Sequence, residues 1–193
     1  KLLRPYSVVL IPDITEVSAQ FLKLVRESGK QLIVMNVNQK LSFEQSRVLG
    51  IQLERIETDN AGAYLFTREK EIFRHFRGKD WIFVSGAVGL TTAGGWEPLL
   101  PYVEKGEFGP AERAYGYRPT EMGTVLTQGK VTLITWALGE LYQQYGYQDH
   151  KLVLLDLLDK LCPDVRVVST HAHPSVELFW DAVEDGFLLQ ALN

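Results

Sequence analysis

Ser85, Cys162, four histidines and a scatter of glutamates are the side chains from which this chain can build chemistry, and their spacing limits what they can do. Val84-Ser85-Gly86-Ala87-Val88-Gly89 places a serine after an apolar run. Phe83 stands where the first glycine of a G-x-S-x-G elbow belongs, so the sharp turn that exposes a nucleophilic serine is not encoded. His171 and His173 form an H-x-H pair beside Pro174; on a strand both would point the same way, and a third ligand would complete a metal site. No carboxylate lies close in sequence, and the pair falls between two segments of different character, so they read as exposed loop histidines. His75 sits in a basic helical pattern, and His150 opens an apolar helix. His150 reads either as a neutral ring bonded to a neighbour or as an interface contact. Glycoside hydrolysis needs two carboxyl groups roughly 5–9 Å apart on separate elements. Glu97, Glu104, Glu107, Glu112 and Glu121 qualify by type, but nothing in their spacing pairs them. Gly86–Gly95 is glycine-rich yet lacks both the Lys-Ser/Thr of a P-loop and a dinucleotide fingerprint. No cofactor and no metal follow from these patterns.

The single cysteine excludes an internal disulfide and a cysteine-built zinc site. Cys162 ends an apolar helix just before Pro163 and reads as a small buried hydrophobe. A net charge of −4 argues against nucleic acid, whose phosphates call for a basic face. The densest basic stretch, Arg68–Lys79, is diluted by Glu69 and Glu71 and reads as a solvated helix face. No apolar run approaches the roughly 18 residues of a membrane span. The first residues lack the apolar core and cleavage site of a signal peptide, which together with the cysteine count gives a cytoplasmic expectation.

The elements that must position these residues follow a β-α-β opening. Ser7–Pro12 is a continuous apolar run, typical of a parallel strand buried on both faces. A helix over Ser18–Ser28 turns Phe21, Leu22, Leu24 and Val25 inward and ends at Gly29. Leu32–Met35 is the next buried strand. Ser42 caps a short helix over Phe43–Leu49. Gln52–Ile56 and Gly62–Thr67 read as strands, Glu69–Phe76 as a helix, and Trp81–Val84 as a buried strand. Gly86–Gly123 is rich in glycine and proline and reads as loop with short strands, the kind of segment that serves binding or interfaces. Gln128-Gly129 joins two strands, the second being Val131–Trp136; a helix starts near Leu138, and the most apolar helix covers Asp149–Leu161. After Pro163 the pattern becomes all-β: Val165–Ser169, then Val176–Val183 and Phe187–Leu192 joined through Asp185-Gly186. The organisation expected is an α/β body over residues 1–163 and the start of a β domain over residues 164–193. A doubly wound body that opens with a strand at residue 7 also suggests a fragment of a longer protein.

The block from Gly129 to His150 carries the most specific pattern. Gly129-Lys-Val-Thr-Leu-Ile-Thr-Trp-Ala-Leu-Gly139, then Leu141-Tyr142, then Tyr145-Gly-Tyr147 and His150, resembles the non-catalytic domain that follows the (β/α)8 barrel in certain bacterial β-galactosidases and a related group of glycosyl hydrolases. Tyr6–Asp13, Ser28–Val34, Ala61–Leu65 and Arg113–Pro119 resemble other pieces of that domain in the same order. The helix Ser18–Ser28 is about one turn shorter than usual there, and the glycine pair before the second strand has become Gly29-Lys30. The resemblance implies a flavodoxin-like, three-layer, doubly wound and mostly parallel α/β fold of the class I glutamine amidotransferase type, with a β-sandwich beginning at the C-terminal hairpin. In amidotransferases of this fold the elbow after the second strand carries a cysteine nucleophile. Here Asn36 takes that position, and an amide cannot be the activated nucleophile. What the resemblance implies is therefore an accessory, trimerisation-type role: association with an upstream barrel and with further copies of the protein, and contact with carbohydrate through the parent enzyme. Tyr115, Tyr117 and Arg118 are the candidates for touching a sugar, by ring stacking and by guanidinium hydrogen bonds. Trp136 and Tyr142 are expected inside, with Tyr147 and His150 facing a barrel or another subunit. The rivals are a free-standing amidotransferase-like hydrolase, which needs a nucleophile at the elbow, and a flavodoxin-like ligand-binding module.

Overall fold

The computed structural model describes residues 3–58, 63–68, 71–92, 94–104, 118–163, 173 and 175–192. The opening folds as its sequence dictates. Strand β1 (Val8–Ile11) leads through a 3-10 turn at Ile14–Glu16 into helix α1 (Ala19–Glu27), and β2 (Gln31–Val34) returns parallel to β1. Ser18 caps α1 by accepting a hydrogen bond from the Phe21 amide. Gly29 follows the helix at φ +68°, a backbone conformation that costs an L-residue a Cβ clash. Helix α2 (Phe43–Leu49) starts with a full capping box between Ser42 and Gln45. The Gln45 amide also donates to the carbonyls of Ile14 and Val17, both at 2.8 Å, which ties α2 to the chain entering α1.

Next come β3 (Arg55–Glu57), β4 (Ala63–Phe66), β5 (Trp81–Val84), β6 (Val88–Leu90), β7 (Glu97–Pro98), β8 (Pro101–Val103), β9 (Pro119–Gly123), β10 (Val125–Gln128) and β11 (Val131–Ile134). Helices α3 (Leu138–Tyr145) and α4 (Gln148–Leu161) follow, then the hairpin β12 (Glu177–Val183) and β13 (Gly186–Leu192). The central sheet has the order β1-β2-β11-β10-β7. Its parallel part is β1, β2 and β11. The turn at Gln128-Gly129, with Gly129 at φ +58°, makes β10 antiparallel to β11, and β7 extends that antiparallel edge. A second sheet, β5-β4-β8-β9, and the pair β3-β6 are antiparallel throughout. The described chain is thus mixed α/β with several sheets and mostly antiparallel pairing; parallel pairing is confined to three strands.

Both faces of the central sheet are buried. Leu32, Val34 and Leu133 pack with Leu22 and Val25 of α1 and Leu49 of α2. Ile33, Met35 and Ile134 pack on the other face with Leu138 and Leu141 of α3, Val153 and Leu157 of α4, and the inward residues of β4 and β5. Each such aliphatic side chain, fully buried, stabilises by about 1.5–3 kcal/mol. Trp136 is fully buried as expected, while Tyr142 is only partly covered.

Two expectations need correction. Instead of a helix over Glu69–Phe76, the described part holds only a 3-10 turn at Arg74–Phe76, which buries Phe73 and Phe76 in the core as a helical stripe would. Trp81–Val84 is not buried on both faces; Trp81 is exposed and Phe83 partly so. The Gly86–Gly123 segment follows its expectation of loop with short strands: its described part supplies β6 to β9, each two to five residues long, and residues 93 and 105–117 lie outside the described set. The expected strand at 165–169 also lies outside it. Hairpin β12-β13 pairs over its full length and carries Leu178, Trp180, Phe187 and Leu189 on one face. Among the described residues no helix is long and apolar enough to cross a membrane.

Candidate functional site

The carboxyl ends of β2, β5 and β11 open onto one crevice of about 630 Å³, the place where open α/β sheets carry their ligands. Asn36 and Asn38 from the elbow after β2, Ser85 and Gly86 after β5, and Ala137 after β11 form its floor. Glu140, Gln144, Tyr145 and Tyr147 form one wall and Lys40 belongs to the other side.

The elbow itself is sharp. Asn36 has φ +60°, the only left-handed non-glycine residue among those described, and asparagine is one of the few side chains that accept this conformation. Its amide donates to Asp13 Oδ2 at 2.6 Å, and its Oδ1 accepts from Asn38 Nδ2 at 2.6 Å. The backbone amide of Asn36 donates to the Trp136 carbonyl, which clamps the elbow to the end of β11. Asn38 accepts from the Lys40 amide in turn, and Lys40 Nζ lies 3.4 Å from Asp13 Oδ2. Partial burial pushes the Asp13 carboxyl up, but the amide and hydroxyl of Thr15, the Asn36 amide and Lys40 outweigh it and hold the group below its ordinary value. Asn36 is therefore a fully engaged structural residue, 3% exposed, with no chemistry to offer.

No histidine lines the crevice, so Ser85 there has no imidazole base among the described residues. His75 Nδ1 lies 2.6 Å from Asp156 of α4, and His173 bonds Ser175 within its own turn. His171 lies outside the described residues. Glu104 is held by Arg55 at 3.0 and 2.9 Å, and Glu97 and Glu121 are exposed on β7 and β9. Glu107 and Glu112 lie outside the described residues. Cys162 is a buried free thiol whose pKa burial pushes up, which makes it unreactive. Among the described residues no group of three or more His, Cys, Asp or Glu side chains is placed to hold a metal.

His150 does not face outward; this corrects the expectation of an interface contact. It is fully buried, its Nδ1 accepting from Trp136 Nε1 at 3.0 Å and its Nε2 lying 3.1 Å from the Phe83 carbonyl. An accepting Nδ1 with a donating Nε2 defines a neutral ring. Burial lowers its pKa, only partly offset by the Phe83 carbonyl and Asp149. Tyr147 is partly exposed and stacks on Tyr145, with centroids 5.1 Å apart and planes 21° apart. Arg118 is exposed, while Tyr115 and Tyr117 lie outside the described residues.

A second feature escaped sequence reading. Tyr64 pairs across the strands with Phe83, and Phe66 with Trp81, so four aromatic rings share the outward face of β4-β5. Tyr64 and Phe83 meet at 5.8 Å, Phe66 and Trp81 at 5.0 Å, and Phe83 continues edge-on to Tyr147 at 5.8 Å. Six rings, ending at Tyr145, thus run from the sheet to the crevice mouth. The signal was present: Tyr64/Phe66 and Trp81/Phe83 are each i, i+2 pairs, the period of one strand face.

Neither a family profile nor a curated protein matches this sequence. Among solved structures, alpha-L-fucosidase isoenzyme 2 from Paenibacillus thiaminolyticus has a similar fold, with a TM-score of 0.61 at 14% identity. The match covers 84% of this chain and 26% of that one, so the chain spans about a quarter of the fucosidase's length.

Proposed function

We propose that this chain is a non-catalytic association domain of a glycoside hydrolase whose catalytic (β/α)8 barrel lies outside it. Its α/β body is a flavodoxin-like, amidotransferase-type unit that has lost the amidotransferase nucleophile, and hairpin β12-β13 begins a β-sandwich. The observation that supports the reading is the sharp elbow after β2, where Asn36 stands at φ +60° with its side chain spent on Asp13 and Asn38. The likeness to part of a fucosidase supports a glycosidase context at the level of fold. The four-ring outward face of β4-β5 supports association, since Tyr64 and Trp81 remain 50% and 37% exposed. Contiguous exposed apolar surface of this kind marks interaction sites, and aromatic residues are enriched in interface cores. The occupant of that face is a second copy of the parent protein.

The length of the native gene product tests the proposal. A barrel adds about 250 residues to the product. A native product ending at these 193 residues, with no barrel, overturns it. Within the longer product, Tyr147→Ala lowers association more than it lowers the melting temperature; the reverse pattern makes this block mere core.

A further inference from the structure

We propose that the crevice at the carboxyl ends of β2, β5 and β11 binds a neutral pyranose, stacked on Tyr145. This goes beyond the association role and stands on the crevice alone. Tyr145 and Tyr147 form a near-parallel ring pair at the mouth, and Tyr145 is 51% exposed, so one ring face is open to a ligand. The C–H face of a pyranose matches such a ring, because both are flat and apolar and the sugar's hydroxyls project from its rim. Around the rings the lining offers hydrogen-bonding side chains of both kinds: the Gln144 amide, the Ser85 hydroxyl and the Glu140 carboxylate. A concave site with an aromatic wall and a few convergent polar groups is the usual form of a small-molecule pocket, and about 630 Å³ falls within its usual range of roughly 300–1,000 Å³.

Charge selects a neutral ligand over a phosphate or a carboxylate. Glu140 repels an anion, and Lys40, the one cation of the lining, lies 3.4 Å from Asp13 Oδ2. The floor is preorganised: Asn36 and Asn38 are nearly fully buried and fixed by the Asp13 network, so a ligand need not order them. The inert elbow thereby gains a use as the rigid base of a binding site.

The test is an amide-resolved NMR titration of the 193-residue chain with methyl β-D-galactopyranoside, methyl α-L-fucopyranoside and, separately, inorganic phosphate. At least one glycoside produces saturable shifts at Ser85, Gln144 and Tyr145, with Kd on the order of 1 mM, typical of a small exposed site. Tyr145→Ala weakens binding by about tenfold, and Tyr145→Phe keeps it within about threefold, because the ring face and not the hydroxyl carries the stack. Gln144→Leu, at a second exposed position, weakens binding without altering the spectrum elsewhere. Absence of saturable shifts with either glycoside, saturation by phosphate alone, or binding that survives Tyr145→Ala overturns the proposal. A negative titration leaves the association role standing, since that role is read from molecular mass.

Discussion

Replacing His150 by leucine removes the acceptor for Trp136 Nε1 and the donor to the Phe83 carbonyl at one stroke. The site is fully closed to solvent at His150 and at Trp136, so water does not take over for the indole N–H. A buried polar group left without a partner costs about 1–3 kcal/mol; the indole N–H is such a group and the Phe83 carbonyl is only partly buried, so the substitution destabilises by about 1–3 kcal/mol. The ring also gives the wild type a pH dependence. Its folded pKa lies below the ordinary 6.5, so between those two values the unfolded chain binds the extra proton and the folded chain does not. Stability from this group is complete above pH 6.5 and is lost as pH falls through that value toward the folded pKa. Asp13 acts in the same direction in a separate, more acidic window, because its lowered pKa withdraws stability only below the ordinary 3.8. Urea unfolding at closely spaced pH values between 7.5 and 5 resolves the histidine window from the carboxylate one. The wild type weakens on acidification below 6.5, and His150→Leu is less stable at pH 7 and flatter over that window. A variant within about 0.5 kcal/mol of the wild type, the usual scatter for an innocuous surface change, would refute the reasoning. So would an unchanged pH slope.

Asn36 should tell strain from hydrogen bonding. Asn36→Ala loses the bond to the Asp13 carboxylate and puts a Cβ without a compensating side chain at φ +60°, costing about 2–4 kcal/mol in chemical denaturation. Asn36→Gly loses the same bond but relaxes the backbone, and is less harmful than alanine by about 1 kcal/mol. Gly89→Ala and Gly123→Ala test close approach: the added Cβ would lie 2.8 Å from the Val37 carbonyl oxygen, or 2.5 Å from Pro98 Cβ. Each lowers stability by about 1–3 kcal/mol, whereas Gly139→Ala, with nothing within 4 Å, does not. Asp156→Asn keeps the shape but weakens the bond that holds His75, and lowers the melting temperature while leaving association mass unchanged.

The parts legible in the sequence were those written in neighbouring residues. The β1-α1-β2 unit, the Ser42 cap, the Gly29 stop and the Gln128-Gly129 hairpin each rest on signals a few positions apart, and all appear in the structure. Asn36 was legible as a side chain that cannot act as a nucleophile, but not as the centre of a network, because its partner Asp13 lies 23 positions away. His150 left two readings open in the sequence, a neutral ring bonded to a neighbour and an interface contact; the distant partners Trp136 and the Phe83 carbonyl, which make its burial tolerable, give the first. The turn at Arg74–Phe76 was misread because two phenylalanines three apart satisfy both a helical stripe and a single 3-10 turn. The β4-β5 aromatic face was lost to the hydrophobic run of Trp81–Val84, in which outward rings are as apolar as the inward Ile82 and Val84.

The association role meets its most direct test in the light-scattering mass of the native gene product beside its Tyr64→Glu/Trp81→Glu double variant. Both positions are exposed and point away from the core, so the variant keeps its fold while the aromatic face acquires two charges. The native product should run as an oligomer and the variant as a smaller species with an unchanged far-ultraviolet circular dichroism spectrum. An identical mass for the two, or a monomeric native product, would contradict the assignment of this domain to subunit association.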